Sequence, residues 1–241
     1  QGQAEGRYFS AGKNAGAIME FHANIANLGK YSAGQLAETI LSFPVTTEQV
    51  QVALREIGVD GLRYQEIIIL ECRTSIRGLD DKIGDFDHID ELNYLASRLA
   101  ELTPEQRSKF SAAAEHDEYG GSLQDLINLT FNLDCYDLLP DVKSDEDYGH
   151  HLVDTHRDFF LPKPARLYFN YESYGECTAI NEGGCYTVQG YIFNNRRIPF
   201  KEVYDGQHVP EQYKVFQYPI QQRIKTARPG RSRDSPGHKR P

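Results

Sequence analysis

Apolar residues recur at helical spacing between residues 86 and 160 of this chain. Ile89, Leu92, Leu95, Leu99 and Leu102 follow one another at intervals of three and four residues. That spacing places them on one face of a helix, because an α-helix completes a turn every ~3.6 residues. We therefore predict a helix over residues 89–102 with a single apolar stripe.

Three more helix starts follow in the same region, each marked by a capping residue. Thr103 and Gln106 form a capping-box pattern around Pro104. Ser122 follows a break at Gly120-Gly121 and precedes an apolar set, namely Leu123, Leu126, Ile127 and Phe131. Ser144 precedes three acids that suit the positive end of a helix. Together these patterns predict a helical region that Pro140 interrupts.

Residues 20–75 combine strand-like and helical patterns. Residues 21–26 predict a strand and residues 27–31 a turn. Thr46 and Gln49 fit a second capping box, and Gly58 marks the end of that helix. Residues 64–72 predict a buried strand, since they centre on four consecutive Ile and Leu residues. These elements predict a small α/β unit.

Residues 165–218 are aromatic and β-branched. The runs 168–171 and 186–193 predict strands, with turns at Asn194-Asn195 and Asp205-Gly206. The predicted fold class is therefore α+β, in an elongated arrangement. It has an N-terminal α/β domain at 19–79, an acidic helical domain at 80–160 and a C-terminal β-rich domain at 161–218. We expect residues 1–18 to form a disordered leader, with Met19 as the natural start, and residues 219–241 to form a disordered basic tail.

Composition narrows the class of protein. The 15 Tyr and 12 Phe residues are enough to build cores, which excludes a disordered acidic protein. No run approaches 18 apolar residues and no signal-peptide pattern is present, so we expect a soluble cytoplasmic protein. The four cysteines are scattered, and we expect reduced thiols, with a pairing of Cys177 and Cys185 across a hairpin as the alternative.

Charge is strongly segregated along the chain. The acidic segment, residues 80–158, holds 20 acids against 6 bases, a net charge of −14. Residues 219–241 hold seven basic residues against one acid. Solubility would be satisfied by a net charge of about −5. A body charged in this way repels nucleic acid and attracts proteins that bind nucleic acid.

The acidic segment also approaches the charge spacing of a nucleic acid. Acids three or four residues apart on a helix advance about 5–6 Å along its axis. Phosphates on one DNA strand are spaced by roughly 3.4 Å. A rod of such helices approaches the linear charge of a duplex without equalling it, which favours a mimic of DNA over an acid–base enzyme.

The most enzyme-like cluster contains His150, His151, Asp154 and His156. His150 and Asp154 share a helix face, so a metal-dependent hydrolase is one alternative, and a polar helix end with solvated histidines is the other. The sequence has no HExxH, no phosphate-binding loop and no GxSxG motif. We therefore predict a non-enzymatic protein without a metal.

Three stretches together resemble the ArdA antirestriction proteins, which plasmids, conjugative transposons and phages encode. The first is Ile25-Ala26-Asn27-Leu28-Gly29-Lys30-Tyr31 with Gly34-Gln35-Leu36. The second is the helix 89–102, which is similar to the leucine-rich antirestriction motif through Leu92, Leu95, Leu99 and Leu102. The third is Tyr168-Phe169-Asn170-Tyr171-Glu172-Ser173-Tyr174-Gly175. The resemblance spans residues 20–195 or so.

The resemblance implies an elongated, three-domain homodimer without catalysis or cofactor. Its acidic surface would imitate bent B-form DNA and occupy the DNA groove of Type I restriction–modification enzymes, at their specificity and methyltransferase subunits. The acids that match this role are expected to be exposed. They are Asp80, Asp81, Asp85, Asp87, Asp90, Glu91, Glu101, Glu105, Glu115, Asp117, Glu118, Asp125, Asp134, Asp137, Asp141, Asp145, Glu146, Asp147, Asp154 and Asp158.

Two features depart from the family. Residues 200–218 extend beyond its usual length, and the basic tail from Arg223 opposes mimicry. An acidic adaptor that binds another basic protein, such as a different defence nuclease or a replication or conjugation factor, is the alternative to a restriction inhibitor.

Overall fold

A computed structural model describes residues 20–155 and 161–219 of the chain, which adopt an α+β fold. The helices are α1 (Leu28–Ser32), α2 (Thr47–Ile57), α3 (Ile89–Glu101), α4 (Pro104–His116), α5 (Leu123–Leu129), α6 (Asp145–Thr155) and α7 (Tyr171–Glu182). The strands are β1 (Phe21–Asn27), β2 (Glu38–Ser42), β3 (Ile67–Thr74), β4 (Tyr136–Leu139), β5 (Cys185–Tyr186) and β6 (Tyr191–Asn194). None of these helices combines the length and apolar character that crossing a bilayer requires, within the ranges described.

The N-terminal sheet is antiparallel, with strand order β2-β1-β3. Ala23 in the central strand lies opposite Leu41 on one side and Cys72 on the other. Phe21, Ala23 and Ile25 alternate toward the core because successive side chains of a strand point to opposite faces. This alternation gives the sheet one buried face and one open face.

Local capping signals were confirmed where they were strongest. The Thr46 side chain accepts a hydrogen bond from the main-chain N–H of Gln49, and the Gln49 side chain accepts one from the main-chain N–H of Thr46, which completes a capping box. Gly58 ends α2 with φ 77°. Thr103 does the same with Gln106 ahead of α4. The turn predicted at residues 27–31 is instead the short helix α1, because the Asn27 side chain accepts from Lys30 N (3.0 Å) and caps it.

The C-terminal region differs from the prediction of two strands. Residues 168–171 are not a strand, since a 3₁₀ turn (Ala165–Tyr168) leads into α7. Asn170 starts that helix by accepting from Ser173 N (3.0 Å), and Gly183 ends it with φ 71°. The run 186–193 is split by a turn between Thr187 and Gly190 into β5 and β6.

The second sheet draws one of its strands from the acidic segment. Its order is β4-β6-β5, so β4 pairs with a strand more than 50 residues later in the chain. One large apolar cluster includes buried residues from Phe21 to Val215, and a smaller one packs Tyr148, Leu152 and Tyr191. The division into three domains stays a prediction. All four cysteines are free thiols, so the alternative pairing of Cys177 and Cys185 is wrong.

Helices α6 and α7 cross at two glycines. A Cβ atom at Gly149 would lie 1.9 Å from the carbonyl oxygen of Tyr171, and one at Gly175 would lie 1.9 Å from that of Asp145. Neither backbone can approach so closely if a side chain is present. Gly175 ends the third stretch that resembled the family, so its presence there has a packing reason.

The strap, residues 196–219, runs back from the second sheet to the first and contains one 3₁₀ turn (Glu211–Tyr213). Asn132 exchanges two hydrogen bonds with the main chain of Lys201 (2.8 Å each). Asn128 Oδ1 then accepts from the main-chain N–H groups of Val203 and Tyr204 (2.7 Å each). The Tyr213 ring then stacks on Tyr94, with 4.4 Å between centroids. Asn93 of α3 donates to the carbonyl of Tyr213 (3.0 Å). Side chains of α5 and α3 therefore satisfy main-chain groups of an extended segment that lacks strand partners.

We expect Gly149→Ala and Gly175→Ala each to lower the free energy of unfolding by at least about 2 kcal/mol, because the added methyl forces α6 and α7 apart. Urea unfolding followed by circular dichroism measures this. Gly121→Ala is the matched control, since the nearest atom to its added Cβ, an Asp125 carboxylate oxygen, lies 3.9 Å away. Unchanged stability of the two helix variants would contradict the close crossing.

Candidate functional site

The carboxylates of the acidic segment fall into distinct groups by burial and partner. The prediction that Asp90 is exposed was wrong, because this residue is only 9% exposed and lies in the core. Its Oδ1 accepts from the main-chain N–H groups of Val215 (2.6 Å) and Phe216 (2.7 Å) in the strap. Asp90 therefore fixes the strap and does not contribute to an outer surface. Asp158 lies outside the described residues.

A second group of carboxylates binds neighbouring groups of the chain itself. Five form ion pairs with Lys or Arg, and they are Glu101, Asp117, Glu118, Asp137 and Asp154. Others accept hydrogen bonds from hydroxyl or main-chain donors, and they are Asp80, Asp87, Glu91, Asp125, Asp145 and Asp147. These contacts hold loops and helix ends, so part of the acidic segment serves the fold.

A third group has no such partner. The unpaired carboxylates, as we call them, are exposed, and they have no side-chain hydrogen bond or ion pair with any residue of the described chain. They are Asp81, Asp85, Glu115, Asp134, Asp141 and Glu146. They come from six separate places between β3 and α6, so the charge they present is spread over the surface of the acidic segment.

Glu105 and Asp147 occupy the first turns of α4 and α6. A hydrogen bond from its own main-chain N–H lowers the pKa of Glu105, and the Ser144 hydroxyl, followed by Lys143 N, lowers the pKa of Asp147. A lowered pKa keeps a carboxylate charged to lower pH than usual. Both groups therefore stay negative throughout the neutral range.

The few bases of the acidic segment are largely held by the fold. Lys82 and Arg98 are in ion pairs. Lys109 Nζ donates to the carbonyl of Tyr136 (2.7 Å), and Lys143 Nζ donates to that of Val188 (2.8 Å). These cations are engaged with groups other than the unpaired carboxylates, so they leave those acids without a counter-charge in direct contact.

A concave acidic surface forms at the edge of β3. An open cavity of about 690 Å³ is lined by Glu20, Glu71, Asp80, Asp81 and Asp85, together with Arg73, which pairs with Glu71 (2.9 Å). Sequence reasoning missed Glu20 and Glu71 because they lie outside the acidic segment. The alternation of β3 was the signal for Glu71, since it places that side chain on the exposed face.

The leucines of the motif-like helix α3 do not face outward. Leu92, Leu95 and Leu99 are completely buried, and Leu102 is nearly so. They pack in the large apolar cluster with α4 and α5. In this structure they anchor α3 to the apolar core.

The histidine cluster is dispersed among other partners. The His150 ring stacks on Tyr171, with 3.7 Å between centroids, and Asp154 accepts from Arg166 Nη1 (2.8 Å). His156 lies outside the described residues. In the part of the chain that the structure describes, no three His, Cys, Asp or Glu side chains are grouped so that they could hold a metal ion.

An aromatic pocket lies beside the N-terminus of α3, and sequence reasoning did not find it. It has a volume of about 290 Å³ and brings Phe86 together with Phe216 and Tyr218 of the strap. Glu66 and Asp87 also line it. The strap residues are more than 120 positions from Phe86 in the sequence, so no local pattern indicated that they meet.

Comparison with known proteins gives one family. A family model described as antirestriction protein (ArdA) matches residues 23–193, which is more than half of the chain. The matched range includes the three stretches on which the resemblance depended and ends before the strap. No curated protein matches the chain.

We expect Asp90→Ala to lower the free energy of unfolding by about 2–4 kcal/mol, because it leaves two main-chain N–H groups of the strap without an acceptor. Limited proteolysis of the variant should cut first within residues 196–219. Asp81→Ala is the matched control, and we expect it to change stability by less than about 0.5 kcal/mol. Equal stability of the two variants would show that Asp90 does not hold the strap.

Proposed function

The chain belongs to the ArdA antirestriction protein family, and on that premise we propose that it is a non-enzymatic mimic of bent B-form DNA. Its acidic surface would occupy the DNA-binding groove of Type I restriction–modification enzymes, at the specificity and methyltransferase subunits. Incoming mobile DNA would then escape restriction.

The observation that carries this proposal is the set of unpaired carboxylates. A carboxylate that is already paired within the chain has little charge to offer a partner, whereas an exposed, unpaired one keeps its full attraction for Lys or Arg. Six such groups are distributed from β3 to α6 within a segment of net charge −14. A groove built to bind phosphates presents the complementary charge.

The arrangement favours many weak contacts over one strong contact. Each exposed ion pair contributes about 0.2–1 kcal/mol and is screened by salt. Affinity for a basic groove would come from their sum and would fall as the salt concentration rises. The same salt dependence holds for an acidic adaptor, so the identity of the partner has to separate the two functions.

A competition assay tests the proposal. The chain is titrated into a Type I restriction–modification enzyme bound to labelled duplex DNA, at two salt concentrations. We expect displacement of the DNA that weakens at high salt. No displacement by a correctly folded chain would reject the restriction enzyme as the partner and favour the acidic adaptor.

We expect the double variant Asp141→Lys/Glu146→Lys to displace DNA about ten-fold less well, because two weak attractions become repulsions. Its matched control is Glu48→Lys/Glu56→Lys, which makes the same change in net charge at exposed sites of α2 outside the acidic segment. An equal loss in both variants would mean that only the net charge matters and would contradict a defined mimic surface.

We also propose that the chain acts as a homodimer, as the family resemblance implies. Two apolar side chains near the start and end of the α7 region support this, because Leu167 is 85% exposed and Ile180 is 72% exposed. A second copy of the chain that covered these side chains would remove apolar surface from water, which favours association.

We expect the wild-type chain to sediment as a dimer and Leu167→Asp/Ile180→Asp to sediment as a monomer, because charge in an apolar interface is left without a partner. Analytical ultracentrifugation measures this. Leu62→Asp, at an exposed leucine of the N-terminal part, is the control and should remain dimeric. A monomeric wild-type chain at micromolar concentration would reject the dimer.

A further inference from the structure

We propose that the aromatic pocket beside α3 binds one arginine side chain of the partner protein. This inference rests on the proposed function, because it takes the partner to be a basic, DNA-binding groove. It goes further in naming a single anchoring site and the chemistry that the site selects. The pocket, about 290 Å³ in volume, is at the small end for a ligand site and suits one side chain better than a cofactor.

Three aromatic rings form the walls of this pocket. Phe86 is 73% exposed and has no aromatic partner among the described residues, so its ring is available to a ligand. Phe216 packs against His88, with 5.5 Å between centroids, and meets Tyr218 edge to face at 5.4 Å. Leu28 and Ile67 add an apolar floor. A long aliphatic stem would be covered by such a surface.

Two acidic residues, Glu66 and Asp87, line the pocket together with His88. Asp87 accepts from Gly84 N (2.8 Å) through Oδ2, which fixes the orientation of its carboxylate. The Glu66 carboxylate has no hydrogen bond or ion pair to the described chain, while its main-chain carbonyl is held by Leu28 N (3.1 Å). A neutral apolar occupant would desolvate these carboxylates without compensation, and an anion would be repelled. The pocket therefore favours a cation with an apolar stem.

Arginine fits this combination better than lysine. Its planar guanidinium stacks on aromatic rings and pairs with carboxylates at the same time. The chain itself contains this arrangement at another place, where the Arg98 guanidinium carbon lies 4.1 Å from the Phe131 ring centroid and the same group pairs with Glu101. The aromatic pocket contains the corresponding aromatic ring and carboxylate, and an arginine of the partner would supply the third group.

The pocket is held in its shape by the strap. Asp90 fixes the backbone at Phe216, and the Tyr218 hydroxyl donates to the carbonyl of Gln65 (3.0 Å). The Tyr218 ring lies so close to Gly61 that a Cβ there would be 2.6 Å from it. Two of the three aromatic walls thus come from residues beyond the 23–193 range of the family model. The pocket would let this chain discriminate among partners that all present basic grooves.

The direct test is a titration of the full chain with N-acetyl-arginine amide, followed by NMR of the Leu28 and Ile67 methyl groups. We expect saturable shifts with arginine, and weaker shifts with the blocked amides of citrulline, which is neutral, and of leucine. Phe86→Ala and Glu66→Gln should each weaken arginine binding about three- to five-fold, while Glu48→Gln should leave it unchanged. Phe86, Glu66 and Glu48 are all exposed, so these variants are expected to fold.

Equal shifts with leucine or citrulline would overturn the proposal, since the site would then be apolar and not cation-selective. Absence of shifts with arginine would also overturn it. The DNA competition assay then links the pocket to the partner: Phe86→Ala should displace DNA about three- to five-fold less well than Glu48→Gln. If the wild-type chain displaces DNA and Phe86→Ala does so equally, the pocket inference fails and the mimic stands. If the wild-type chain displaces no DNA, the mimic fails, and the restriction enzyme is rejected as the source of the arginine whatever the titration gives.

Discussion

Self-repulsion within the acidic segment is the constraint on which the rest of this structure depends. A net charge of −14 over residues 80–158 opposes any compact arrangement of that segment. Burial of apolar side chains beneath the charged surface offsets this repulsion, and Leu92, Leu95 and Leu99 of α3 are completely buried there. It also converts some acids into structural groups, as in the ion pairs of Asp117 with Lys82 and Asp154 with Arg166. What is left on the surface is a smaller set of carboxylates whose charge is uncompensated by direct contact.

The strap links this charged middle to both sheets. Three polar side chains of α3 and α5, namely Asp90, Asn93 and Asn128, bind its main chain in sequence from Tyr204 to Phe216. An extended segment without strand neighbours needs such acceptors and donors, because buried main-chain groups that lose water must find other partners. The consequence reaches the surface, since the same contacts place Phe216 and Tyr218 beside Phe86.

Sequence patterns predicted the elements whose signals are local. The capping boxes at Thr46 and Thr103 and the leucine spacing of α3 each lie within a few residues, so their outcome depended little on the rest of the chain. Strand β4 was not predicted, because its four residues gain their ladder only from β6. Helix α7 was not predicted, because residues 168–171 just before and at its start are aromatic and were read as a strand, and its close contact with α6 at Gly175 is not local in sequence. Composition identified the acidic segment, but it did not show which of its carboxylates are buried, which are paired and which are exposed without a partner. Asp90 and Asp81 look alike in sequence, and only the path of the strap makes one a core residue and the other a surface charge.

The two kinds of contact proposed for this surface would solve different problems of recognition. Attraction between many exposed charges acts at a distance and speeds encounter, but it fixes register weakly because neighbouring arrangements differ little in energy. A pocket with ring faces and a carboxylate has a defined geometry and accepts one side chain in one place. A protein that relied on charge alone would slide along a basic groove as a non-specific ligand does. A single aromatic anchor at one end of the acidic segment, next to Asp85 and Asp87, would convert that sliding attraction into a fixed pose without any increase in net charge.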